Sequence, residues 1–137
     1  MNNATNARER LAKVIQNGAV LLHGNSVVYR NNDTWYPFRQ DSNFHYLTAW
    51  PEQDAHAVII IRDSKSELHL FVQDRNEEME TWDGRRLGQE GALDKFGANK
   101  AYSYNNYQKQ LPKLLDGITD IYCDYSNFLF DRFDKKT

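Results

Sequence analysis

Apolar residues repeat along this chain in two ways, one typical of helices and one typical of strands. Leu11, Val14 and Ile15 share a face at helical spacing, which predicts a first helix from about Thr5 to Asn17. A short apolar run then extends from Ala19 to Leu22 between two glycines and predicts a strand. The chain is therefore expected to begin with a helix followed by a strand.

The centre of the chain predicts a β-hairpin. Residues Ala57–Ile61 are continuously apolar and rich in β-branched side chains, a pattern typical of a central strand covered on both faces. A turn follows at Arg62–Lys65, and apolar residues then alternate with polar ones from Glu67 to Gln73. This alternation predicts a partner strand with one wetter face, on which His69 faces water.

Helices and strands alternate in the rest of the chain. Residues Asn31–Asn43 lack periodicity and predict a loop before an aromatic-rich segment, Phe44–Trp50. The later predicted elements are a short helix over Asn76–Trp82, a helix over Gly91–Phe96, a strand over Ala101–Tyr104, a helix around Tyr107–Leu115 that contains Pro112, and a strand over Ile118–Tyr125. This order indicates an α/β fold with a mixed β-sheet flanked by helices. A length of 137 residues indicates one domain.

Charge and cysteine content narrow the class of protein. The chain carries 17 basic and 19 acidic residues, so its net charge of −2 gives no general attraction to nucleic acid or anionic membranes. A single cysteine cannot form an intrachain disulfide, and the amino-terminal residues lack the apolar stretch of a secretory signal. We therefore expect a cytoplasmic protein. The final residues, NFLFDRFDKKT, contain three phenylalanines, from which we expect a fragment of a longer protein.

Signatures of a complete catalytic site are missing from the sequence. No pair of histidines has the spacing of a helical zinc site, and no G-x-S-x-G elbow is present. Cys123 lies on the apolar face of a predicted strand, which favours packing over catalysis. His45 lies in the aromatic-rich segment, where a packed histidine is expected more often than a functional one.

Two stretches stand out from this background, DTWYPFRQDSNFHYLTAW (Asp33–Trp50) and TWDGRRLGQE (Thr81–Glu90). Glycines beside arginines in the second stretch are compatible with a phosphate-binding loop, a turn with solvated charges, or an interface. Its glycine spacing matches neither a dinucleotide-binding loop nor a Walker A loop, which disfavours phosphate binding. A tryptophan near paired arginines is typical of interface anchors, although a simple turn with a buried tryptophan stays open.

Together, the two stretches resemble the N-terminal domain of Xaa-Pro aminopeptidases, also called aminopeptidase P, of the creatinase/prolidase superfamily. The residues that match the first pattern are Asp33, Tyr36, Pro37, Phe38, Arg39, Gln40, Ser42, Phe44, Tyr46, Leu47 and Thr48. The residues that match the second pattern are Trp82, Gly84, Arg85, Arg86 and Gly88. The resemblance extends from Arg8 to about Tyr125, and Ala49 stands where the family usually has glycine.

The resemblance implies a mixed sheet flanked by helices, with a ribonuclease H-like motif. It also implies a second, larger domain with the "pita-bread" fold. In the family that domain binds two metal ions, usually manganese, through two Asp, one His and two Glu, and it hydrolyses the bond between an N-terminal residue and a following proline. On this basis residues 1–137 form a single non-catalytic domain, a fragment of a longer metallopeptidase, and the isolated chain is expected to be inactive.

The family resemblance also implies a role and partners for this domain. In the family it supports oligomers and narrows access to the active site. Asp33 and Trp82 are implied to approach the substrate groove of a neighbouring subunit's catalytic domain, and Arg85 and Arg86 to pair with carboxylates across an interface. The implied partners are the protein's own catalytic domain, neighbouring subunits and peptides with proline second. The alternative is a non-enzymatic creatinase-like module that binds peptides or histones.

Overall fold

The computed structural model describes residues 3–25, 29–30, 34–35, 39–75 and 86–123. In chain order the elements are α1 (Asn3–Ile15), β1 (Gly18–His23), β2 (Tyr29–Arg30), β3 (Thr34–Trp35), α2 (Ser42–Thr48), β4 (His56–Arg62), β5 (Lys65–Val72), α3 (Gly88–Lys95), β6 (Lys100–Ser103), a 3₁₀ turn (Tyr104–Asn106), α4 (Tyr107–Leu114) and β7 (Ile121–Cys123). The predicted helix over Asn76–Trp82 lies outside the described residues.

Five strands form one mixed sheet, in the order β6-β5-β4-β1-β7. The central strand β4 is antiparallel to both of its neighbours, whereas the outer pairs, β1 with β7 and β5 with β6, are parallel. Strands β2 and β3 form a separate two-stranded antiparallel pair. The predicted mixed sheet flanked by helices is thus confirmed.

Both faces of β4 are buried, as its continuous apolar sequence predicts. Successive side chains of a strand point to opposite faces, so Ala57, Ile59 and Ile61 join a cluster that contains residues of α1, α2 and α3. Val58 and Ile60 join a second cluster, against which side chains of α4 pack. Among the described helices, α1, α2 and α3 therefore pack on one face of the sheet and α4 packs on the other.

The first helix is confirmed, but it buries a different face from the one expected. Val14 is 79% exposed, whereas the residues facing the interior are Ala4, Ala7, Arg8 and Ala12. Small side chains let the helix approach the sheet closely, and Leu11 and Ile15 pack at the margin of the core. The buried Arg8 donates a hydrogen bond from Nη1 to the carbonyl oxygen of Leu47 at 2.7 Å, so its charge meets the carbonyl end of α2.

The predicted hairpin of β4 and β5 is confirmed, but the prediction that one face of β5 is more exposed to water is wrong. All residues from Leu68 to Val72 are buried, and His69 is 3% exposed rather than facing water. The reason is that β6 pairs with β5 on its outer side and brings Tyr102 against this face, where its ring stacks on Phe71 at 4.5 Å. A polar residue is tolerated there because both ring nitrogens of His69 have hydrogen-bond partners.

The partners of His69 define its tautomer. Its Nε2 lies 2.7 Å from Oε1 of Glu67, and its Nδ1 lies 3.0 Å from the hydroxyl of Tyr102. An ionised carboxylate accepts hydrogen bonds and does not donate them. In the neutral imidazole, Nε2–H therefore donates to Glu67, and Nδ1 accepts from the Tyr102 hydroxyl. Burial lowers the pKa of His69, although the Glu67 carboxylate acts in the opposite direction.

The segment predicted as a loop ends earlier than expected, because α2 begins at Ser42 and β3 occupies Thr34–Trp35. The side chain of Asp41 caps α2 by accepting the backbone N–H of Phe44 at 3.0 Å. At the other end, the Thr48 hydroxyl donates to the Phe44 carbonyl and accepts from the backbone N–H of Trp50. The aromatic-rich segment is thus a short helix in which side chains form hydrogen bonds with backbone groups at both ends.

The later elements follow their predictions with shifted ends. The helix expected over Gly91–Phe96 begins three residues earlier at Gly88, and the strand expected over Ala101–Tyr104 spans Lys100–Ser103. The next helix contains Pro112 as predicted. The last strand is shorter than expected within the described residues, Ile121–Cys123, and Ile121 is exposed whereas Cys123 packs against the second cluster.

Ala49 is left-handed, with φ of 62°, which accounts for the glycine that the family usually has there. A left-handed backbone costs a residue with a Cβ about 1–2 kcal/mol. We expect Ala49→Gly to raise the free energy of unfolding by about 0.5–1 kcal/mol, measured by urea denaturation. The same change within α1, Ala7→Gly, should lower it by about 1 kcal/mol or more. Destabilisation by Ala49→Gly would contradict this assignment.

Candidate functional site

Several chain segments converge at one edge of the five-stranded sheet. Because β1 and β5 are each antiparallel to β4, while β7 and β6 are parallel to β1 and β5, four strands end at the same edge where β4 begins. We call this the carboxyl edge. The two motif stretches that the sequence singles out follow β1 and β5 along the chain, and their described parts include residues 39–50 and 86–90.

Hydrogen bonds join the end of β1 to the start of α2, and we call this hydrogen-bonded junction the first stem. The side-chain amide of Asn25 donates to the carbonyl oxygen of Arg39 at 3.0 Å, and its backbone N–H donates to Oε1 of Gln40 at 3.0 Å. The carbonyl of Asn25 in turn accepts the backbone N–H of Asp54. These bonds close the ends of the chain segment between Asn25 and Arg39, the segment that carries Asp33, Tyr36 and Pro37.

The amide of Gln40 is the centre of this stem. Its Oε1 accepts the backbone N–H groups of Asn25 and Asp41, at 3.0 and 3.2 Å. Its Nε2 donates to the backbone carbonyls of Trp50 and Glu52, both at 2.9 Å. One side chain therefore uses two donors and two acceptor sites on the backbone of three segments, which is the full capacity of a primary amide.

Hydrogen bonds also join the end of β5 to the start of α3, and we call this junction the second stem. The carboxylate of Asp74 accepts the side chains of Gln89 at 2.7 Å and Ser103 at 2.8 Å, and its carbonyl accepts Nη1 of Arg86 at 3.1 Å. Gly88 has φ of +65°, and a Cβ there would lie 2.5 Å from Cγ of Arg75. Only glycine therefore lets the two ends of this stem approach so closely.

Glu52 connects the two stems. Its carbonyl accepts Nε2 of Gln40 at 2.9 Å, and its side-chain Oε2 accepts the backbone N–H of Leu87 at 2.8 Å. Leu87 stands at the start of α3, where backbone N–H groups lack helical partners and a negative charge is favoured. The chain Gln40–Glu52–Leu87 thus brings the described parts of the two motif stretches together.

The predicted motif residues divide into three groups. Gln40, Arg86 and Gly88 form the stems, together with the backbone of Arg39. Phe44 is fully buried in the core, whereas Tyr46 is 55% exposed. The predicted site residues that lie outside the described residues are Asp33, Tyr36, Pro37, Trp82, Gly84 and Arg85. The structural roles of Gln40, Phe44 and Gly88 show that part of the motif pattern reflects folding.

The sequence did not indicate a second cluster at the carboxyl edge, formed by two histidines and two tyrosines. The Nδ1 atoms of His23 and His56 lie 2.6 Å apart, so that one donates and the other accepts. The ring of His56 stacks on Tyr107 at 3.9 Å and on Tyr104 at 4.8 Å. The antiparallel register of β1 and β4 pairs these histidines, and register is not readable from the sequence.

Burial keeps this histidine pair neutral. Removal from water lowers the pKa of His56 to about 3, and the neighbouring His23 acts in the same direction. Burial likewise lowers the pKa of His23, against the opposing effect of Asp41. The same cause raises the pKa of Tyr107. Both imidazoles are therefore uncharged near neutral pH, and the raised pKa of Tyr107 disfavours its phenolate.

Two other predictions for single residues have different outcomes. The expectation that His45 is packed is wrong, since its side chain is exposed on α2. Cys123 packs against the second cluster as expected, and burial raises the pKa of its thiol, which disfavours the reactive thiolate.

The described ranges contain neither a cluster of side chains suited to a metal ion nor a helix suited to a membrane. No group of three or more His, Cys, Asp or Glu side chains there could hold a metal ion. None of the helices in this part of the chain has the length and apolar character needed to cross a membrane.

Replacing Gln40 tests whether its side-chain amide stabilises the first stem. In Gln40→Met, the N–H groups and carbonyls that this amide serves lose their partners, and each buried loss costs about 1 kcal/mol or more. We expect the free energy of unfolding to fall by about 2–4 kcal/mol in chemical denaturation. Gln108→Met, a change at an exposed position of α4, is the control and should change stability by less than about 0.5 kcal/mol. Equal effects of Gln40→Met and Gln108→Met on the free energy of unfolding would contradict a central role of Gln40 in the first stem.

The histidine pair predicts a pH-dependent stability. The pKa of His56 is lower in the folded protein than its unfolded value of about 6.5, so the unfolded state binds more protons in acid. The stabilisation is complete above pH 6.5 and declines as the pH falls towards 3. We expect His56→Phe to reduce the slope of unfolding free energy between pH 6.5 and 5 by up to about 1.4 kcal/mol per pH unit. His45→Phe is the exposed control, and an unchanged slope in His56→Phe would refute the prediction.

Comparison with known proteins places this architecture in a family. The sequence model described as "Aminopeptidase P, N-terminal domain" matches residues 4–122. Over 111 residues the chain is 40% identical to the Xaa-Pro aminopeptidase of Haemophilus influenzae, and over 118 residues it is 36% identical to that of Escherichia coli. These alignments cover 81% and 84% of this chain but 26% of each relative, so the chain spans about a quarter of their length.

Solved structures give the same answer for the fold. The structure of E. coli aminopeptidase P with the inhibitor Pro-Leu matches 98% of this chain and 31% of its own, with a TM-score of 0.87 and 32% identity. The proline aminopeptidase P II of Yersinia pestis matches 97% of this chain and 31% of its own, with a TM-score of 0.87 and 30% identity. The chain therefore belongs to the family of aminopeptidase P N-terminal domains.

Proposed function

We propose that this chain is the non-catalytic domain of a longer Xaa-Pro aminopeptidase, in which it supports oligomer assembly and narrows the path of substrates to the catalytic portion. The observation that carries the proposal is the link Gln40–Glu52–Leu87. It fixes both stems at one edge, so the described ends of the segments that carry Asp33 and Trp82 are held at the same edge. Two recognition segments on one edge suit an entrance better than separate surface loops.

The residue types of these segments suit peptides with proline in the second position. An indole offers a flat apolar face to a proline ring, which suits Trp82. The carboxylate of Asp33 suits the positive amino terminus of a peptide, with which it forms a charge-assisted hydrogen bond. Arg85 and Arg86 suit bidentate pairing with carboxylates across an interface between subunits. A restricted entrance then favours short or unfolded peptides with free amino termini.

The proposal assigns the chemistry to the remainder of the protein. By the family resemblance, the two metal ions that hydrolysis requires, usually manganese, belong to the catalytic portion. Residues 1–137 then form one domain, and no catalytic step runs through it. A near-neutral net charge and a single cysteine suit a cytoplasmic setting.

The test is Trp82→Leu in the full-length enzyme. We expect kcat/KM for Xaa-Pro peptides of four or more residues to fall on the order of tenfold, equivalent to about 1.4 kcal/mol of transition-state binding. A dipeptide substrate should be affected less, because it makes fewer contacts at the entrance, and metal content should not change. Peptide hydrolysis assays and metal analysis provide the measurements.

Trp82→Phe is the matched control, since it keeps an aromatic face and should retain most of the efficiency on long peptides. Unchanged kinetics for Trp82→Leu at every peptide length would remove Trp82 from the entrance. A full-length protein that hydrolyses no Xaa-Pro peptide when loaded with manganese would instead favour the non-enzymatic binding module.

A further inference from the structure

A groove of about 560 Å³ lies on the outer surface between α1 and α2, away from the sheet. Polar side chains from both helices line it, with Asn3, Asn6 and Arg10 from α1 and His45 and Tyr46 from α2. Residues three and four apart share one face of a helix, so the α1 residues form a continuous wall. We call this feature the α1–α2 groove.

The groove has a positive charge and no carboxylate. Arg10 donates from Nη2 to the hydroxyl of Tyr46 at 3.0 Å, which holds its guanidinium beside the groove. A guanidinium has five N–H donors in a fixed fork that matches a carboxylate. In the described part of the chain, no Asp or Glu lines the groove and no carboxylate forms an ion pair with Arg10. The remaining donors of Arg10 therefore suit an acidic ligand.

The exposed aromatic residue beside Arg10 adds an apolar contact. Tyr46 is 55% exposed although its neighbours Phe44 and Thr48 on α2 are fully buried. Tyrosine and arginine are the residue types most enriched among those that dominate binding energy at protein interfaces. Tyr46 belongs to the first motif stretch, but the fold does not require its ring to be buried.

The groove adjoins the first stem along the chain. Its α2 wall follows directly on that stem, because α2 begins two residues after Gln40.

We infer that the α1–α2 groove docks an acidic segment of the catalytic portion of the full-length protein, with Arg10 paired to a carboxylate and Tyr46 packed against the backbone of that segment. Charge complementarity selects an acidic partner. The length of the relatives supplies its source, since this chain spans 26% of each of them. The inference rests on the proposed function, in which the first stem, which the groove adjoins along the chain, turns towards the catalytic portion.

Photo-crosslinking in the full-length protein tests this inference. With p-benzoylphenylalanine in place of Tyr46, irradiation and peptide mass spectrometry should identify crosslinks to a segment of the catalytic portion that contains Asp or Glu. Adding Arg10→Glu should reduce the crosslink yield at least fivefold, because it places a negative charge against the acidic segment. Adding Lys13→Glu, an exposed change on α1 outside the groove, should leave the yield unchanged.

Hydrogen exchange provides a second measurement that needs no photoreactive residue. In the full-length protein, Arg10→Glu should increase the exchange of the α2 amides, whereas Lys13→Glu should leave their exchange unchanged. Crosslinks confined to a second copy of this domain would overturn the inference. So would an absence of crosslinked peptide, or a yield that Arg10→Glu does not change.

The two proposals fail in different ways. If no crosslinks form at position 46 but Trp82→Leu still lowers kcat/KM for long peptides, docking at the α1–α2 groove is refuted and the entrance role is supported. If crosslinks form and depend on Arg10 but Trp82→Leu has normal kinetics, docking at the groove is supported and the entrance role is refuted.

Discussion

The side-chain amide of Gln40 holds together the carboxyl edge of this domain. Its four hydrogen bonds reach the end of β1, the start of α2 and the backbone after α2. These backbone groups lie outside the regular helices and strands, and buried polar groups without partners cost free energy. Through the carbonyl and carboxylate of Glu52, the same network reaches the start of α3. Segments far apart in sequence are thereby placed side by side.

The family motifs consequently combine two kinds of residue. Gln40, Phe44 and Gly88 are explained by hydrogen bonding, core packing and a left-handed backbone, respectively. Tyr46 is not explained in this way, because its ring is largely exposed. A motif that recurs in a family therefore does not mark every member as a ligand contact. The residues whose side chains the fold leaves available are the stronger candidates for recognition.

Much of the architecture could be predicted from the sequence, because β4 is apolar on both faces and the helices carry clear periodicity. The sequence predicts burial wrongly at positions whose burial depends on segments that are distant along the chain. His69 alternates like a solvent-facing residue, yet β6 covers it and Tyr102 and Glu67 satisfy its ring. Val14 fits the apolar face of a helix, yet small alanines meet the sheet instead. At the site, Glu52 and the His23–His56 pair depend on register and loop closure, which local patterns do not encode.

The close approach at Gly88 has a consequence for how such domains diversify. Because Asp74 binds Gln89 and Ser103, and Gly88 lies against Arg75, the second stem is closed by residues on both sides of the segment it carries. A segment closed in this way adds little to the cost of folding when its length changes, since loop entropy grows slowly with length. The length of this segment is thus nearly independent of the sequence constraints that packing places on the sheet and its helices.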